Sequence, residues 1–221
     1  MTLADKINQF NENLKLDIPL QKGVEVMNPF TEEIVKELAR KFYNKYYLDH
    51  RSRKLMLGIN PGRFGAGVTG IPFTDPVKLQ ENCGIENPYK KSREASADFI
   101  YDMINAFGGP DLFYSKYFIH AVCPLGFLKD DLNYNYYDDP KLEKQVTPFI
   151  IESIKTIIGF GMDTSVCYCL GNGKNLKFLN KLNKEQKFFD EVVALPHPRW
   201  VVQYRRKRYN EFVGLYLEKL V

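Results

Sequence analysis

The sequence has few of the patterns that mark secreted, membrane-embedded or metal-binding proteins. It contains four cysteines in 221 residues, and no two of them form the Cys-x-x-Cys pair typical of zinc and redox sites. No apolar run is long enough to cross a bilayer, and the first residues are too polar for a secretory signal. We therefore predict buried, reduced thiols, no bound metal ion, no membrane contact and a cytoplasmic location.

Charge and histidine are also sparse. The net charge is only +4, which allows a polyanionic partner without requiring one, and there are three histidines. The densest charge feature is the run Arg205, Arg206, Lys207 and Arg208. On a helix such a run spreads around the axis, so it could be a solvated surface or a set of phosphate contacts.

Apolar periodicity predicts an alternation of helices and strands. The predicted helices cover about 5–15, 31–47, 76–83, 93–107, 140–159, 175–182 and 203–220, with a kink or break expected at Pro148. The predicted strands cover 54–59, 117–122, 165–170 and 191–195, and 133–137 is expected to be an irregular loop. This order favours an α/β fold, a three-layer α/β/α sandwich around a mostly parallel four-stranded sheet.

The chain shows no internal repeat and no flexible linker, so we expect a single domain over 1–221. Residues 1–50 would form an N-terminal helical extension and residues 51–221 the core. In parallel sheets ligands bind beyond the carboxyl ends of the strands. The loops 60–75, 123–127, 171–174 and 196–202 should meet at that edge.

The first of these loops lies in GINPGRFGAGVTGIPF, residues 58–73, which has five glycines but no carboxylate, cysteine, histidine or lysine. Its glycines contain a bare GxGxxG, although neither a directly preceding strand nor a following helix start is evident. A structural turn and a ligand-binding loop are both compatible with this composition. Asn60, before a proline, could bond its own backbone or orient a water molecule.

The last loop contains PHPRW, with His197 between two prolines and Arg199 and Trp200 behind it. A histidine in this setting could be rigidly packed or could face a ligand. The position of His197 after a predicted strand favours a functional role.

Four segments together resemble the single-strand-selective monofunctional uracil-DNA glycosylases, within the uracil-DNA glycosylase superfamily. They are GINPGRFGAGVTGIPF, YFIHAVCPLGFL, LGNGKNLKFLNKL and LPHPRW, and the resemblance covers roughly 52–200. A bacterial branch of the family, active on xanthine as well as uracil in DNA, is the most similar. The resemblance implies an enzyme that flips a damaged base out of DNA and hydrolyses its N-glycosidic bond without a cofactor. We expect it to act as a monomer in base excision repair.

The resemblance also implies roles for individual residues. Asn60 would position the attacking water, and His197 would donate a hydrogen bond to the departing base. Phe73 would stack on the base. The Gly62 backbone, Ala66 and Ala121 would lie around it. The DNA-binding residues would be Arg199, Trp200, Arg205, Arg206, Lys207, Arg208 and Lys174.

The sequence departs from the family at three of these places, and at one of them Ala66 replaces a larger residue of the first motif. In the vertebrate enzymes an asparagine that reads the uracil edge matches Ala121, and alanine cannot make those hydrogen bonds. We therefore expect a less selective pocket that could admit a purine such as xanthine. The HPRW motif is also shorter than the family's His-Pro-Ser-Pro-Arg, so its wedge into DNA could differ. Arg199 and Trp200 are the candidates for that wedge, although Trp200 could equally belong to the core. Two alternatives follow: a catalytically impaired nucleic-acid-binding protein of the same fold, and an enzyme acting on free nucleosides.

Overall fold

The computed structural model describes residues 1–220 and contains two sheets in that range. The strands, in chain order, are β1 (Val24–Met27), β2 (Lys54–Gly58), β3 (Tyr117–Ala121), β4 (Gly126–Lys129), β5 (Leu132–Tyr134), β6 (Asp163–Leu170) and β7 (Glu191–Leu195). Four of them form an entirely parallel sheet in the order β3-β2-β6-β7. The predicted four-stranded parallel sheet is therefore confirmed, with strand ends that differ by one or two residues.

Helices cover this sheet as the α/β/α prediction requires. They are α1 (Leu3–Glu12), α2 (Glu33–Tyr47), α3 (Ala66–Thr69), α4 (Pro76–Glu81), α5 (Ala95–Phe107), α6 (Pro110–Tyr114), α7 (Pro140–Ile158), α8 (Lys174–Gln186), α9 (Pro198–Tyr204) and α10 (Tyr209–Lys219). Helix α7 runs on through Pro148 without the break that the sequence suggested as one possibility. Pro148 lies on the exposed face, where water can satisfy the carbonyl that loses its helical donor. None of the helices in residues 1–220 is long and apolar enough to cross a membrane.

A second, antiparallel sheet of order β1-β4-β5 stands beside the first. Strands β4 and β5 form a hairpin around Asp130 and Asp131, whose φ angles of 52° and 58° suit a two-residue turn. The expectation that 133–137 is entirely irregular was wrong, because Asn133 and Tyr134 belong to β5. The hairpin reaches the glycine loop, where the Asn133 Oδ1 accepts a hydrogen bond of 3.0 Å from the Arg63 N–H.

The N-terminal segment packs against the rest of the chain. The Lys6 ammonium donates to the Phe160 carbonyl at 3.0 Å, and the Phe10 ring lies edge-on to His120 with centroids 5.8 Å apart. Helix α1 begins two residues before its predicted start, because Thr2 and Asp5 form a capping box. It ends at Glu12 rather than at residue 15.

The single C-terminal helix predicted over 203–220 was wrong. The chain forms α9 and α10 instead, joined through a short 3-10 turn over Arg206–Arg208. Helix α9 starts early because Pro198 is accommodated in a first turn. All four basic residues between the helices are exposed, so no buried apolar face holds one continuous helix there.

Candidate functional site

The loops that follow β2 and β7, together with the end of β3, surround a cavity of about 340 Å³, whereas the predicted loops 123–127 and 171–174 contribute no residue to its wall. Most of the residues predicted for the site lie on its wall: Asn60, Gly62, Ala66, Phe73, Ala121, His197, Arg199 and Trp200. The convergence of the first and last loops at the carboxyl edge of the sheet is thus observed. Residues that are more than 130 positions apart in the chain meet there because parallel strands end at the same edge.

The glycine loop, residues 60–73, contains a compact turn. The Gly62 carbonyl accepts hydrogen bonds from the Gly65 N–H at 3.3 Å and the Gly67 N–H at 2.8 Å. A Cβ on Gly67 would stand 2.8 Å from that same carbonyl oxygen, so only glycine permits this approach. The loop then enters the short helix α3, which the sequence did not reveal. Its shape therefore presents Asn60 and Gly62 to the cavity.

Phe73 closes the loop in a strained conformation. Its φ of 53° is left-handed, which costs a non-glycine residue about 1–3 kcal/mol and is most often kept at functional sites. The ring lies against Gly58, where a Cβ would stand 2.9 Å from the Phe73 Cε2. Its centroid is 6.1 Å from that of His197. The ring thus forms an aromatic wall beside the histidine.

The amide of Asn60 is oriented by backbone groups on both of its ends. Its Oδ1 accepts from the Tyr136 N–H at 3.2 Å, while its Nδ2 donates to the Pro61 carbonyl at 3.2 Å. A second lone pair on Oδ1 is left for a donor such as water. The position of Tyr136 is itself fixed, because its hydroxyl donates to the buried Asn175 Oδ1 at 2.7 Å. The side chain therefore has a fixed direction and spare accepting capacity.

His197 caps helix α9, and this contact defines its tautomer. Its Nδ1 accepts the Arg199 N–H at 3.1 Å, so in the neutral ring the proton must be on Nε2. Burial and the nearby Arg199 charge lower the His197 pKa to about 4. The imidazole is therefore neutral at pH 7 and keeps one N–H donor for a ligand.

A second histidine, which we did not assign to the site, also lines the cavity. His120 is buried, its Nδ1 donates to the Ala121 carbonyl at 3.0 Å, and burial lowers its pKa to about 4. Ala121 ends β3 opposite Gly58, and Ala66 begins α3. Their methyl groups give those parts of the wall no hydrogen-bonding side chain.

Arg199 and Trp200 are on the first turn of α9, at the mouth of the cavity. Trp200 has both of the environments considered from the sequence. It lines the cavity, and its ring also packs edge-on against Phe212 with centroids 5.8 Å apart. The Arg205 guanidinium lies 4.7 Å from the centre of the Trp200 ring. Arg199 is exposed beside it.

The other predicted DNA-binding residues are not part of the cavity wall. Arg205, Arg206, Lys207 and Arg208 are exposed in the turn between α9 and α10, and Arg208 is paired with Glu211 at 2.7 Å. Lys174 is exposed at the start of α8, with its ammonium 5.8 Å from the centre of the Tyr137 ring. Their contact with DNA stays a prediction.

Several wall residues were missed by the sequence analysis: Glu94, Ser96, His120, Asn133, Asn135, Gln203 and Tyr204. Glu94 is chemically the most unusual. Burial, with the Asp75 charge second and Arg199 opposing them, raises its pKa from 4.5 to about 7. The only signal in the sequence was a lone acid that follows a basic stretch at a helix start.

No group of three or more histidine, cysteine, aspartate or glutamate side chains in residues 1–220 is arranged to hold a metal ion. All four cysteines are buried and unpaired. Burial raises the pKa of Cys123 and Cys169 to about 12, so these thiols are protonated at neutral pH. The chemistry available in the cavity is therefore that of amide, imidazole, carboxyl and backbone groups.

Comparison with known sequences assigns the chain to a family. The sequence model of the Uracil DNA glycosylase superfamily matches residues 45–221. The chain belongs to this superfamily. Within it, the chain is similar to the single-strand selective monofunctional uracil DNA glycosylase of Bos taurus, with 28% identity over 117 residues, 45% of this chain and 42% of that protein. The same-named protein of Rattus norvegicus is 28% identical over 143 residues, 57% of this chain and 50% of that protein. The matched stretches span about half of each mammalian relative.

Among solved structures, this superfamily member is similar to the crystal structure of wild-type SMUG2 from Pedobacter heparinus. The TM-score is 0.97 and the identity is 48%, over 99% of this chain and 97% of the other. This likeness includes residues 1–44, which lie outside the family match. The predicted family and fold are both confirmed.

Proposed function

We propose that this protein is a monofunctional DNA glycosylase that removes uracil or a related deaminated or oxidised base from DNA. One observation carries the proposal. Asn60 and a neutral His197, which lie far apart in the sequence, face one cavity that has an aromatic wall. That set can hold a flipped base, orient a water and stabilise a leaving group.

The proposed reaction starts with a base rotated out of the helix and stacked against Phe73. The bond between the sugar C1′ and the base nitrogen breaks, its electron pair leaves with the base, and the sugar becomes an oxocarbenium-like cation. The His197 Nε2–H donates a hydrogen bond to the base oxygen where negative charge develops. Removal of one such preorganised donor typically lowers the rate by about 10²–10³.

Water completes the reaction. The free lone pair of Asn60 Oδ1 accepts a hydrogen bond from a water molecule and aims its oxygen at C1′. An amide is a poor base, but a cationic sugar needs an oriented nucleophile more than a strongly activated one. The water oxygen bonds to C1′ and its released proton balances the charge of the departing base. The products are the free base and an abasic site.

The wall of the cavity supports a broad choice of base. Ala66 and Ala121 occupy little space and make no side-chain hydrogen bonds, and the cavity of about 340 Å³ leaves room for a purine. We therefore propose that xanthine is accepted as well as uracil. The DNA backbone would run past Arg199 and Trp200 towards Arg205–Arg208 and Lys174, with the protein acting as a cytoplasmic monomer.

The decisive test is cleavage of end-labelled oligonucleotides followed by alkali, which breaks the strand at abasic sites. The substrates carry uracil, 5-hydroxymethyluracil, hypoxanthine or xanthine, in single and double strands. Asn60→Ala should abolish base release and retain DNA binding, while Asn210→Ala, an exposed position on α10, should leave both unchanged. Full activity in Asn60→Ala would refute the mechanism.

The same assay separates the alternatives. Salt-sensitive DNA binding without cleavage of any lesion would favour the catalytically impaired binding protein. Turnover of a free nucleoside, unaffected by charge reversal at Arg205, Arg206 and Arg208, would favour the nucleoside enzyme.

A further inference from the structure

The cavity contains a carboxyl group that the proposed reaction does not use. Glu94 is the only acidic residue on the wall among residues 1–220. It occupies the N-cap position of α5, and its backbone N–H donates to the Asp75 Oδ2 at 2.7 Å. Asp75 is itself fully buried and caps α4. The backbone that carries the Glu94 side chain is therefore anchored between two helices.

The Glu94 carboxyl lies against the glycine loop, where a side chain on that loop would otherwise be. Its Oε2 is 1.9 Å from the position that a Cβ on Gly65 would take. Its Oε1 is 3.9 Å from the corresponding position on Gly62. The loop can accept this carboxyl because Gly65 has no side chain. The Glu94 carboxyl thus occupies the side of the cavity that is formed by Gly62, two residues after Asn60 in the chain.

No group in the described part of the chain donates a hydrogen bond to the Glu94 carboxyl. Two charges act on it, Asp75 from the start of α4 and Arg199 from α9, and neither is joined to its carboxyl by a hydrogen bond or ion pair. The other titratable groups of the wall near the base, His120 and His197, have pKa values of about 4 and stay neutral. The side chain is half-buried at the cavity wall, and a carboxyl there without a hydrogen-bond partner points to a polar ligand.

We propose that the Glu94 carboxyl contacts the polar edge of the flipped base and selects which bases are removed, a role that the methyl group of Ala121 cannot fill. This inference rests on the proposed function. Uracil, hypoxanthine and xanthine all have a ring N–H next to a carbonyl. Cytosine and adenine have an unprotonated ring nitrogen at the equivalent place. A carboxylate accepts from the N–H and is repelled by the lone pair, so it favours deaminated bases over their parents.

The pKa of Glu94, near 7, lets the group change its hydrogen-bonding character within the working pH range. The ionised form only accepts, while the protonated form can donate to a base carbonyl. Bases that differ in their pattern of N–H and C=O groups should therefore respond differently to pH between 6 and 8.

The test is single-turnover cleavage of one duplex that carries uracil, hypoxanthine or one of their parents, cytosine and adenine, at pH 6 and pH 8. Glu94→Ala should lower the ratio of the uracil and cytosine rates by about 10–100-fold, the usual effect of losing a hydrogen bond to a charged group. Glu94→Gln, nearly the same size but unable to ionise, should make that ratio independent of pH. Gly65→Ala should act in the same direction, because its Cβ displaces the carboxyl. Glu86→Gln, at an exposed loop position, is the matched control.

An equal fall in the rates of the deaminated bases and their parents, or no change in their ratio, would overturn the selection role. Equilibrium binding of the same duplexes is measured in parallel. A wild-type protein that cleaves nothing, yet prefers lesion duplexes in a manner lost in Glu94→Ala, would refute the glycosylase and keep the selection role. An inactive protein without such a preference would refute both.

Discussion

Substitution of Glu94 by glutamine should stabilise the protein at alkaline pH and leave its stability at acidic pH nearly unchanged. The pKa of Glu94 is raised in the folded state, so the folded protein binds this proton more tightly than the unfolded chain does. Below the unfolded value of 4.5 the carboxyl is neutral in both states and costs nothing. As the pH rises from 4.5 to about 7, the unfolded chain loses the proton first and the fold is progressively destabilised. Glutamine removes this effect because it never ionises.

The size of the effect follows from the two pKa values. A difference between 4.5 and about 7 corresponds to about 3 kcal/mol of unfolding free energy once both states are ionised. The side chain is only partly shielded from water, so we expect about 2–3 kcal/mol at pH 8. Near pH 5 the same relation leaves about 1 kcal/mol.

Urea-induced unfolding, followed by circular dichroism at pH 4.5, 6, 7 and 8, measures this difference between wild type and variant. The midpoint of Glu94→Gln should move above that of the wild type only as the pH rises. Glu86→Gln should follow the wild type at every pH. The reasoning would be refuted by a gap between Glu94→Gln and wild type that does not vary with pH, or by a wild type more stable at pH 8.

Three further outcomes test the loop, a helix and a buried ion pair. Gly67→Ala should lower base release at least tenfold in the alkali-cleavage assay, because its Cβ would meet the Gly62 carbonyl oxygen at 2.8 Å. Gly214→Ala, in open space on α10, should instead raise the unfolding free energy by about 0.5–1 kcal/mol in urea titrations, with activity unchanged. Asp49→Asn should lower the stability by about 1.5–3 kcal/mol at pH 7, since the fully buried Arg53 loses its half-buried carboxylate partner at 2.7 Å. Thermal unfolding should show that loss at pH 7, and equal stability of variant and wild type would contradict it.

The central sheet was predictable because its strands are short apolar runs with helices between them. All five side chains of β3 are buried, and such a run reads as a parallel strand even without alternation. The small sheet was missed for the opposite reason. Residues 132–134 are exposed or half-buried, and their turn depends on two aspartates with positive φ, which resemble any polar loop.

The site was predictable where the backbone alone places the residue. Asn60 and His197 each lie two residues after a strand of the parallel sheet. The topology therefore brings their backbones together, whatever contacts their side chains make. Glu94 was missed because its contribution depends on how far its side chain reaches and on what surrounds it. No local pattern reports that its carboxyl lies over Gly65. The prediction that the basic run lies within a helix was wrong. Four charged residues in succession do not show whether tertiary packing stabilises a helix at that place.

His197 joins two parts of the molecule that are usually considered separately. The Nδ1 that fixes its tautomer accepts the N–H of Arg199, in the first turn of a helix of only seven residues that also carries Trp200. A tilt of the turn that carries Arg199 would therefore also move the imidazole, because one hydrogen bond joins the two. The orientation of the His197 Nε2–H inside the cavity is therefore coupled to the position of the helix turn at the cavity mouth.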